Sequence, residues 1–333
     1  MAAAAVGDDV FDDDPSVHHL QDKVAQLLYK EASLFVPSGT MANQLAVRVH
    51  CRAGDEAVVH ARSHVFNYEG GAAAALWGVT LRPLDSPDGS LGSAAVAAAL
   101  HLGDDPHLAP TRMIAFENTH NGCGGVVLDP HDVAAVCALG RRHGLGLHLD
   151  GARLCNAAVA AGTTIAALAA PFDTVSLCLS KWLGAPVGSL LAGDRGRIAQ
   201  ARRWRKALGG GMRQAGILAA AGTYALDHHV ERLAADHARA RRFAEALAGL
   251  DGLRVDVDQV QTNLVYFDVD PAVPGISRLG GDIGAMRVAL TARLRERGVW
   301  VAGTAARLRA VFHLDVDDAG VEQAVAAVSA ATR

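Results

Sequence analysis

Short apolar runs alternate with helix-like segments along much of the chain, and this alternation limits the possible fold more than any other feature. The strand-like runs occupy residues 57–60, 79–83, 113–117, 145–149 and 174–179, and helix-like segments such as residues 130–143 separate them. Alternation of this kind predicts a mostly parallel sheet that helices cover on both faces. Sheets of this class bind their ligands beyond the carboxyl ends of the strands.

The length of the chain predicts two domains. Its 333 residues are about twice as many as an ordinary single domain contains. A first helix is predicted at residues 16–29, with Ser16 as its N-cap, and a long helix rich in Arg and Ala at residues 230–250. The pattern after that helix is a strand at 264–268, a helix at 285–297, a strand at 309–313 and a helix at 320–331, with a surface loop at 271–284. We therefore expect a large α/β domain over residues 1–235 and a small α+β domain over residues 236–333.

Composition excludes several classes of function. The formal net charge is −4 with acids and bases mixed along the chain, so no basic face for nucleic acid is expected. No apolar stretch is long enough for a membrane span, and residues 1–5 carry no basic region of a signal peptide. The five cysteines form no C-x-x-C pair, which indicates buried thiols in a reducing cytoplasm. The histidine pairs at 18–19 and 228–229 cannot face each other on a helix, so no metal site is expected.

Two predicted turns place polar groups where a ligand could bind. Ser38-Gly39-Thr40 directly precedes a helix, and backbone N–H groups at a helix N-terminus attract anions. Asp150 ends an apolar strand and is followed by a glycine turn and Arg153. A carboxylate there could keep a ring nitrogen protonated, which makes a pyridine ring an electron sink. Taken alone, each feature is more often an ordinary helix cap.

A lysine follows the next strand along the chain. Only four of the 31 basic residues are lysines, and Lys181 alone comes at the end of an apolar strand, at residues 174–179. Its neighbours are Trp182, Leu183 and Gly184 rather than carboxylates, so we expect a desolvated amine that can attack a carbonyl group. The alternative is a lysine whose side chain extends from the strand end into solvent.

Seven motifs then carry a specific resemblance. They are V-G-D-D-V-F at 6–11, P-S-G-T-M-A-N at 37–43, E-N-T-H-N-G at 117–122, H-L-D-G-A-R at 148–153, L-S-K-W-L-G-A-P-V-G-S at 179–189, R-W-R-K-A-L-G-G-G-M-R-Q at 203–214 and F-H-L-D at 312–315. In this order they resemble the low-specificity L-threonine aldolase family. The resemblance implies the fold of the fold-type-I pyridoxal-phosphate enzymes, in which a large domain with a seven-stranded, mostly parallel sheet is joined to a small C-terminal domain.

The resemblance also implies which residues would bind pyridoxal 5'-phosphate. Lys181 would form the covalent link and Asp150 would pair with the ring nitrogen, while His64 would stack on the ring. The remaining expected contacts to the cofactor come from Gly39, Thr40, Arg153, Ser180, Lys206 and Arg213. Of these, Lys206 and Arg213 would reach the phosphate from a partner subunit, which predicts a homo-oligomer with shared active sites, either a dimer or a dimer of dimers.

The implied reaction is the cleavage of L-threonine, and of L-allo-threonine, into glycine and acetaldehyde. Arg153 and Arg309 would bind the substrate carboxylate, and His120 would lie near the substrate hydroxyl. A guanidinium can fix the carboxylate so that the breaking Cα–Cβ bond stands perpendicular to the ring, and a neutral histidine can accept the hydroxyl proton. The resemblance further implies that the protein is a cytoplasmic homotetramer. It would be an aldehyde-lyase that acts in threonine catabolism and glycine biosynthesis.

Two alternatives remain open at the level of the sequence. A pyridoxal-phosphate enzyme of the same fold could act on another β-hydroxy-amino acid or catalyse β-elimination. Members of the family usually carry a segment of the form D-L-R-S-D-T-V-T ahead of V-G-D-D, whereas the printed sequence begins with Met1 shortly before that motif. We therefore also consider a subunit that binds the cofactor without catalysis, and we expect weak threonine cleavage that an upstream extension would increase.

Overall fold

The computed structural model describes residues 1–303 and 307–333. They form two compact units, a large unit of residues 1–123 and 127–231 and a small unit of residues 124–126 and 232–333. The division that we expected at residues 235 and 236 falls inside the helix Leu233–Ala248, which lies wholly in the small unit. The boundary between the units thus comes before this helix rather than within it.

The large unit contains a seven-stranded sheet, as the sequence predicts. Its strands are β1 (Ala32–Val36), β2 (Glu56–His60), β3 (Thr80–Leu84), β4 (Thr111–Glu117), β5 (Gly146–Gly151), β6 (Thr174–Cys178) and β7 (Ser189–Gly193). They lie in the order β1-β7-β6-β5-β4-β2-β3. Strand β2 pairs in parallel with β3 and β4, β4 with β5, and β5 with β6. Strand β7 runs antiparallel to both β6 and β1. The mostly parallel α/β architecture is thereby confirmed.

Ten helices pack around this sheet. They are α1 (Pro15–Leu27), α2 (Gly39–His50), α3 (His64–Asn67), α4 (Ala72–Trp77), α5 (Ser93–Ala99), α6 (Pro130–Arg142), α7 (Leu154–Ala161), α8 (Ile165–Ala169), α9 (Arg195–Ala207) and α10 (Gly216–His228). Every residue of β2, β6 and β7 is buried, as expected for strands covered on both faces. Of the helices in the described ranges, none has both the length and the apolar character of a membrane span.

The start of α1 differs from our prediction. The helix begins at Pro15 and not after Ser16, because the buried carboxylate of Asp14 accepts hydrogen bonds from the N–H groups of Ser16 and Val17, both at 3.1 Å. Proline suits the first helical position because its missing N–H would have no partner there. The same carboxylate also accepts the N–H of Gly216 at 2.8 Å, so it joins the starts of α1 and α10.

The small unit is an antiparallel sheet with helices. Its strands β8 (Leu253–Val255), β9 (Leu264–Val269), β10 (Ala302–Gly303) and β11 (Leu308–Val311) lie in the order β10-β11-β9-β8. Its helices are α11 (Leu233–Ala248), α12 (Pro274–Ser277), α13 (Ile283–Glu296) and α14 (Asp318–Ala331). The prediction of a surface loop over residues 271–284 is wrong in part, since α12 forms there and buries Ile276 completely in the core of this unit.

Candidate active site

Three neighbouring strands of the large unit carry polar side chains that lie opposite one another. Glu117 of β4 lies opposite Asp150 of β5, which in turn lies opposite Ser176 of β6. All three residues are buried. Since these strands are parallel, their carboxyl ends open at the same edge of the sheet, which is where ligands bind in this class of fold.

Asp150 is a buried carboxylate that stays charged. It accepts hydrogen bonds from Asn43 Nδ2 at 2.7 Å and from the N–H of Ala152 at 3.0 Å, and Ser176 Oγ lies 3.4 Å away. Burial by itself would raise the pKa of Asp150. The positive charges of Lys181 and His64, together with the Asn43 hydrogen bond, outweigh it and hold the pKa below its usual value. The site therefore presents a negative charge in a position that excludes water.

Asn43 joins two buried carboxylates, and sequence reasoning did not single it out. Its Nδ2 donates to Glu69 Oε1 at 2.8 Å as well as to Asp150. Its Oδ1 accepts from Ser176 Oγ at 2.9 Å and lies 3.2 Å from His148 Nε2. An amide group offers two donors and two acceptor positions, so every one of them has a partner here. The feature that could have pointed to Asn43 is a polar residue at a buried position of α2.

His64 is held by the second of these carboxylates. Its Nδ1 lies 2.8 Å from Glu69 Oε1, and Glu69 also accepts from Gln44 Nε2 at 2.7 Å. The hydrogen bond to Glu69 outweighs burial and raises the pKa of His64, with a further contribution from the charge of Asp150. The ring keeps 29% of its side-chain surface exposed, whereas the Glu69 side chain is fully buried. His64 thus presents a fixed, partly open ring near Asp150.

Glu117 supports the backbone around this ring. Its Oε2 accepts the N–H of His64 at 2.6 Å and its Oε1 accepts the N–H of Asn121 at 2.8 Å. Burial, with the charge of Asp150 added, raises the pKa of Glu117 to about 7. The two acceptor oxygens hold the segment after β2 and the turn after β4 together. This role was also missed in the sequence, where Glu117 served only as part of a motif.

His120 lies in an enclosed position against the ring of His60, with ring centroids 4.5 Å apart. Its side chain is completely buried, and among the residues that the structure describes neither ring nitrogen has a hydrogen-bond partner. Burial, together with the nearby His60, lowers the pKa of His120 to about 3, so the ring is neutral. Gly89 has a positive φ of 82° and packs so closely on the ring that a Cβ there would lie 2.8 Å from it. The segment around Gly89 therefore covers His120.

Lys181 follows β6 in a turn, and its expected burial is wrong. The side chain is exposed, because the chain leaves the sheet after Cys178 and the following Trp182 is the residue that becomes buried. The indole Nε1 of Trp182 donates to the carbonyl oxygen of Ala152 at 2.7 Å, which ties the Lys181 turn to the end of β5. The ammonium group nevertheless acts on Asp150, where its charge lowers the carboxyl pKa.

The start of α2 lies against the end of β6. Ser38 caps the helix, with its Oγ accepting the N–H of Met41 at 3.1 Å. A Cβ at Gly39 would lie 2.6 Å from Cys178 Sγ, so only glycine permits this approach. The N–H groups of Gly39 and Thr40 belong to the first turn, where no helical carbonyl can accept them. They are available to an anion beside the turn that contains Ser180 and Lys181.

The remaining predicted residues lie in different places. Arg153 precedes α7, half-buried, and its charge acts on the buried Cys178. Lys206 is exposed near the end of α9, and Arg213 pairs with Asp8 Oδ2 at 2.6 Å. Arg309 lies on β11 of the small unit, opposite Tyr266 of β9. Their roles in binding a phosphate or a carboxylate stay predictions.

The comparisons with known proteins agree with this arrangement. The mostly parallel seven-stranded sheet is consistent with the fold-type-I enzymes that the sequence motifs indicated. The family model "Beta-eliminating lyase" matches residues 1–270. The low specificity L-threonine aldolase of Escherichia coli K12 is 43% identical over 319 residues, which cover 95% of this chain and 89% of the relative. The chain therefore belongs to the beta-eliminating lyase family and, within it, to the low-specificity L-threonine aldolases, as the sequence motifs indicated.

Two further comparisons extend the match. The low-specificity L-threonine aldolase 1 of Arabidopsis thaliana is 38% identical over 325 residues, which cover 96% of this chain and 88% of the relative. The solved structure of Leishmania major threonine aldolase superposes with a TM-score of 0.79 at 19% identity, covering 100% of this chain and 93% of that one. The second comparison establishes the fold independently of the sequence motifs.

Proposed function

We propose that this protein is a pyridoxal-phosphate-dependent aldehyde-lyase that cleaves L-threonine, and L-allo-threonine, into glycine and acetaldehyde. The observation that carries the proposal is Asp150, a buried carboxylate whose pKa the charge of Lys181 helps to hold below its usual value. The relatives at 38% and 43% identity are named low-specificity L-threonine aldolases.

The residues at the strand ends fit the cofactor. A buried carboxylate with a lowered pKa suits a protonated ring nitrogen, an exposed amine suits an aldehyde group, and the N–H groups of Gly39 and Thr40 in the first turn of α2 suit a phosphate. When bound, pyridoxal 5'-phosphate supplies an electron-withdrawing ring that stabilises the electron pair left on Cα. Asp150 would hold the proton on the ring nitrogen, and Asn43 keeps Asp150 in the charged form that this requires.

His64 and Arg153 would orient the bound molecules. The Glu69 hydrogen bond fixes the His64 ring through Nδ1, and we propose that the partly exposed ring stacks on the cofactor. Arg153 follows the Asp150 strand directly, and we propose that its guanidinium binds the substrate carboxylate together with Arg309. Such a clamp would hold the Cα–Cβ bond perpendicular to the ring, the orientation in which its electrons overlap with the ring system.

We propose that His120 accepts the proton of the β-hydroxyl. The ring is neutral, since the pKa of His120 is lowered to about 3, and its nitrogens are not engaged elsewhere in the described structure. A neutral imidazole is the form that can take up a proton as the aldehyde forms. Because the segment around Gly89 covers the ring, this segment would have to move before a substrate hydroxyl could reach His120.

Assembly and location are part of the proposal. We propose a homo-oligomer, a dimer or a dimer of dimers, in which Lys206 and Arg213 of one subunit reach the phosphate in another. Both side chains are exposed, which supports this arrangement. All five cysteines are buried and unpaired, which supports a reducing compartment such as the cytoplasm. A fully active monomer in sedimentation would contradict the shared site.

One assay tests the proposed reaction. Purified protein is incubated with cofactor and L-threonine, L-allo-threonine or D-threonine, and acetaldehyde is measured. We expect acetaldehyde from both L-isomers and none from D-threonine, loss of activity in Lys181→Ala, and normal activity in Lys23→Ala, whose side chain pairs with Asp227 instead. Ammonia with 2-oxobutanoate in place of acetaldehyde would indicate β-elimination. Cofactor binding without any product would indicate an inactive subunit.

A further inference from the structure

A row of polar side chains crosses β5 and β6 beneath α2. His148 and Asp150 lie two residues apart on β5, and they pair in register with Thr174 and Ser176 of β6. Residues two apart on a strand point to the same face, so the four side chains share one side of the sheet. All four are buried. The proposed reaction uses Asp150 of this row but neither His148 nor Thr174.

Helix α2 adds two polar residues that face this row. Asn43 and His50 are about two turns apart and therefore lie on the same side of the helix. His50 Nε2 lies 2.9 Å from Thr174 Oγ1, and the same hydroxyl lies 2.9 Å from His148 Nδ1. His148 Nε2 in turn lies 3.2 Å from Asn43 Oδ1. These four side chains form an unbroken line of polar contacts from the half-buried His50 to the amide beside Asp150, and we call this line the α2 relay.

The carboxylates at one end determine the direction of the hydrogen bonds in the α2 relay. Asn43 Nδ2 donates to both Glu69 and Asp150, so the oxygen of the same amide can only accept. His148 must therefore carry a proton on Nε2. Burial lowers the pKa of His148 to about 4, so the ring is neutral and has no second proton. Its Nδ1 then accepts the hydroxyl proton of Thr174.

The outer half of the relay follows the same direction. The single hydroxyl proton of Thr174 is used by His148, so the hydroxyl oxygen accepts from His50 Nε2. Burial lowers the pKa of His50 to about 3, and the neutral ring carries its one proton on Nε2. A Cβ at position 146 would lie 2.2 Å from the His50 ring, so any residue but Gly146 would displace the ring from the start of β5. Each donor of the line thus points toward Asp150.

We propose that the α2 relay has this fixed direction and strengthens the hydrogen bond from Asn43 to Asp150. Hydrogen bonds that are aligned in a chain polarise one another, and each becomes stronger than it would be alone. The outer members of the relay are positioning residues, because they act on the carboxylate through the amide. The effect on the cofactor rests on the proposed function, in which Asp150 holds the proton on the ring nitrogen. The direction of the relay does not rest on it.

Nitrogen-15 NMR of the cofactor-loaded protein measures the direction. The histidines are labelled with ¹⁵N, and imidazole nitrogens with and without a proton resonate in separate ranges. We expect the proton on Nε2 in both His50 and His148. The variants His50→Gln and His148→Gln assign the two rings. If His148→Gln does not fold, the ring is assigned by its through-space contact with Thr174.

Thr174→Val connects the relay to the cofactor, because it removes the central hydroxyl at nearly constant size. The His50 ring, which loses its acceptor, should no longer favour a proton on Nε2. Pyridoxal 5'-phosphate with ¹⁵N in its ring should show a signal shifted toward the unprotonated range. Its dissociation constant should rise about 1.5- to 5-fold, since alignment adds about 10–30% to each bond. Thr174→Ser keeps the hydroxyl and should restore all three values.

Thr111→Val is the matched control. Thr111 begins β4 as Thr174 begins β6, and it is also buried. Its hydroxyl donates to Glu56 at 3.1 Å and accepts the N–H of His101 at 2.9 Å, outside the α2 relay. The control should therefore leave the ring-nitrogen signal and the histidine signals of the relay unchanged. Thermal melting of both valine variants is recorded in parallel.

Three results would overturn the proposal. A proton on Nδ1 of His148, which the adjacent backbone of Thr174 would favour, would reverse the direction of the relay. An unchanged ring-nitrogen signal in Thr174→Val would remove the effect on Asp150, and so would an equal change in Thr111→Val. If the original protein binds no cofactor, the proposed function is wrong, and the histidine signals alone then decide the relay.

Discussion

Replacement of Asn43 by leucine should destabilise this protein strongly, because Asn43 is a buried polar residue with four polar contacts. The substitution keeps the side-chain volume but removes four contacts, at 2.7, 2.8, 2.9 and 3.2 Å. Two of them are hydrogen bonds to the carboxylates of Asp150 and Glu69, and hydrogen bonds to charged groups are worth about 1.5–3 kcal/mol each. Their loss alone should therefore cost about 3–6 kcal/mol.

That cost is large compared with the whole stability of a domain, which is about 5–15 kcal/mol. Urea unfolding followed by circular dichroism measures it as a lower midpoint with an unchanged slope. A second readout is the affinity for pyridoxal 5'-phosphate, which should fall as well, because the Asn43 hydrogen bond helps to keep the pKa of Asp150 low. Cofactor binding distinguishes a role in the site from one in packing alone.

Asn67→Leu is the matched control. Asn67 donates to the carbonyl oxygens of Ala61 and Ser63 at 2.8 and 3.0 Å, but it is exposed and its partners are neutral. Its replacement should cost about 1 kcal/mol or less. If Asn43→Leu unfolded within about 1 kcal/mol of the original protein and bound cofactor normally, the reasoning about buried carboxylates would be wrong.

Two further predictions concern the charges around the site. Asp150→Asn should still bind cofactor but lose about 100-fold or more in turnover, since an electrostatic contribution of this kind is worth about 3 kcal/mol, and near-normal turnover would reduce Asp150 to a structural role. Glu69→Gln should lower the pKa of His64, which NMR titration of the ring measures. Because the folded pKa of His64 lies above its unfolded value of 6.5, the pairing stabilises the fold fully below pH 6.5 and its contribution disappears as pH rises through the folded pKa. The variant should lack this part of the pH dependence of unfolding, and an identical pH profile in both proteins would contradict the assignment.

The parallel core of the fold could be predicted from the sequence because its strands are continuous apolar runs. The runs at 113–117, 145–149 and 174–179 correspond closely to β4, β5 and β6. The antiparallel strand β7 was not foreseen, since it follows the turn Gly184–Gly188 within a motif that we interpreted only for its lysine. Its place between β1 and β6 depends on pairing across the sheet, which local residue patterns do not specify.

The site was predictable in its outline and not in its supporting contacts. Asp150 and Lys181 stand out because charged residues are unusual at the ends of apolar strands. Asn43, Glu69 and Glu117 come from three separate segments, and only the folded chain brings Asn43 to Glu69 and both Glu69 and Glu117 to His64. The burial that we expected for Lys181 was wrong, because the apolar neighbour Trp182 occupies the buried position instead.

Borohydride reduction tests the central claim most directly, because it fixes the cofactor to the amine that carries it. The protein is loaded with pyridoxal 5'-phosphate, reduced, digested and mapped by mass spectrometry, with Lys181→Ala treated in the same way. The account predicts one phosphopyridoxyl group per chain on Lys181 and no stoichiometric label in the variant. Label on Lys206, or equal labelling of the protein and the variant, would contradict it.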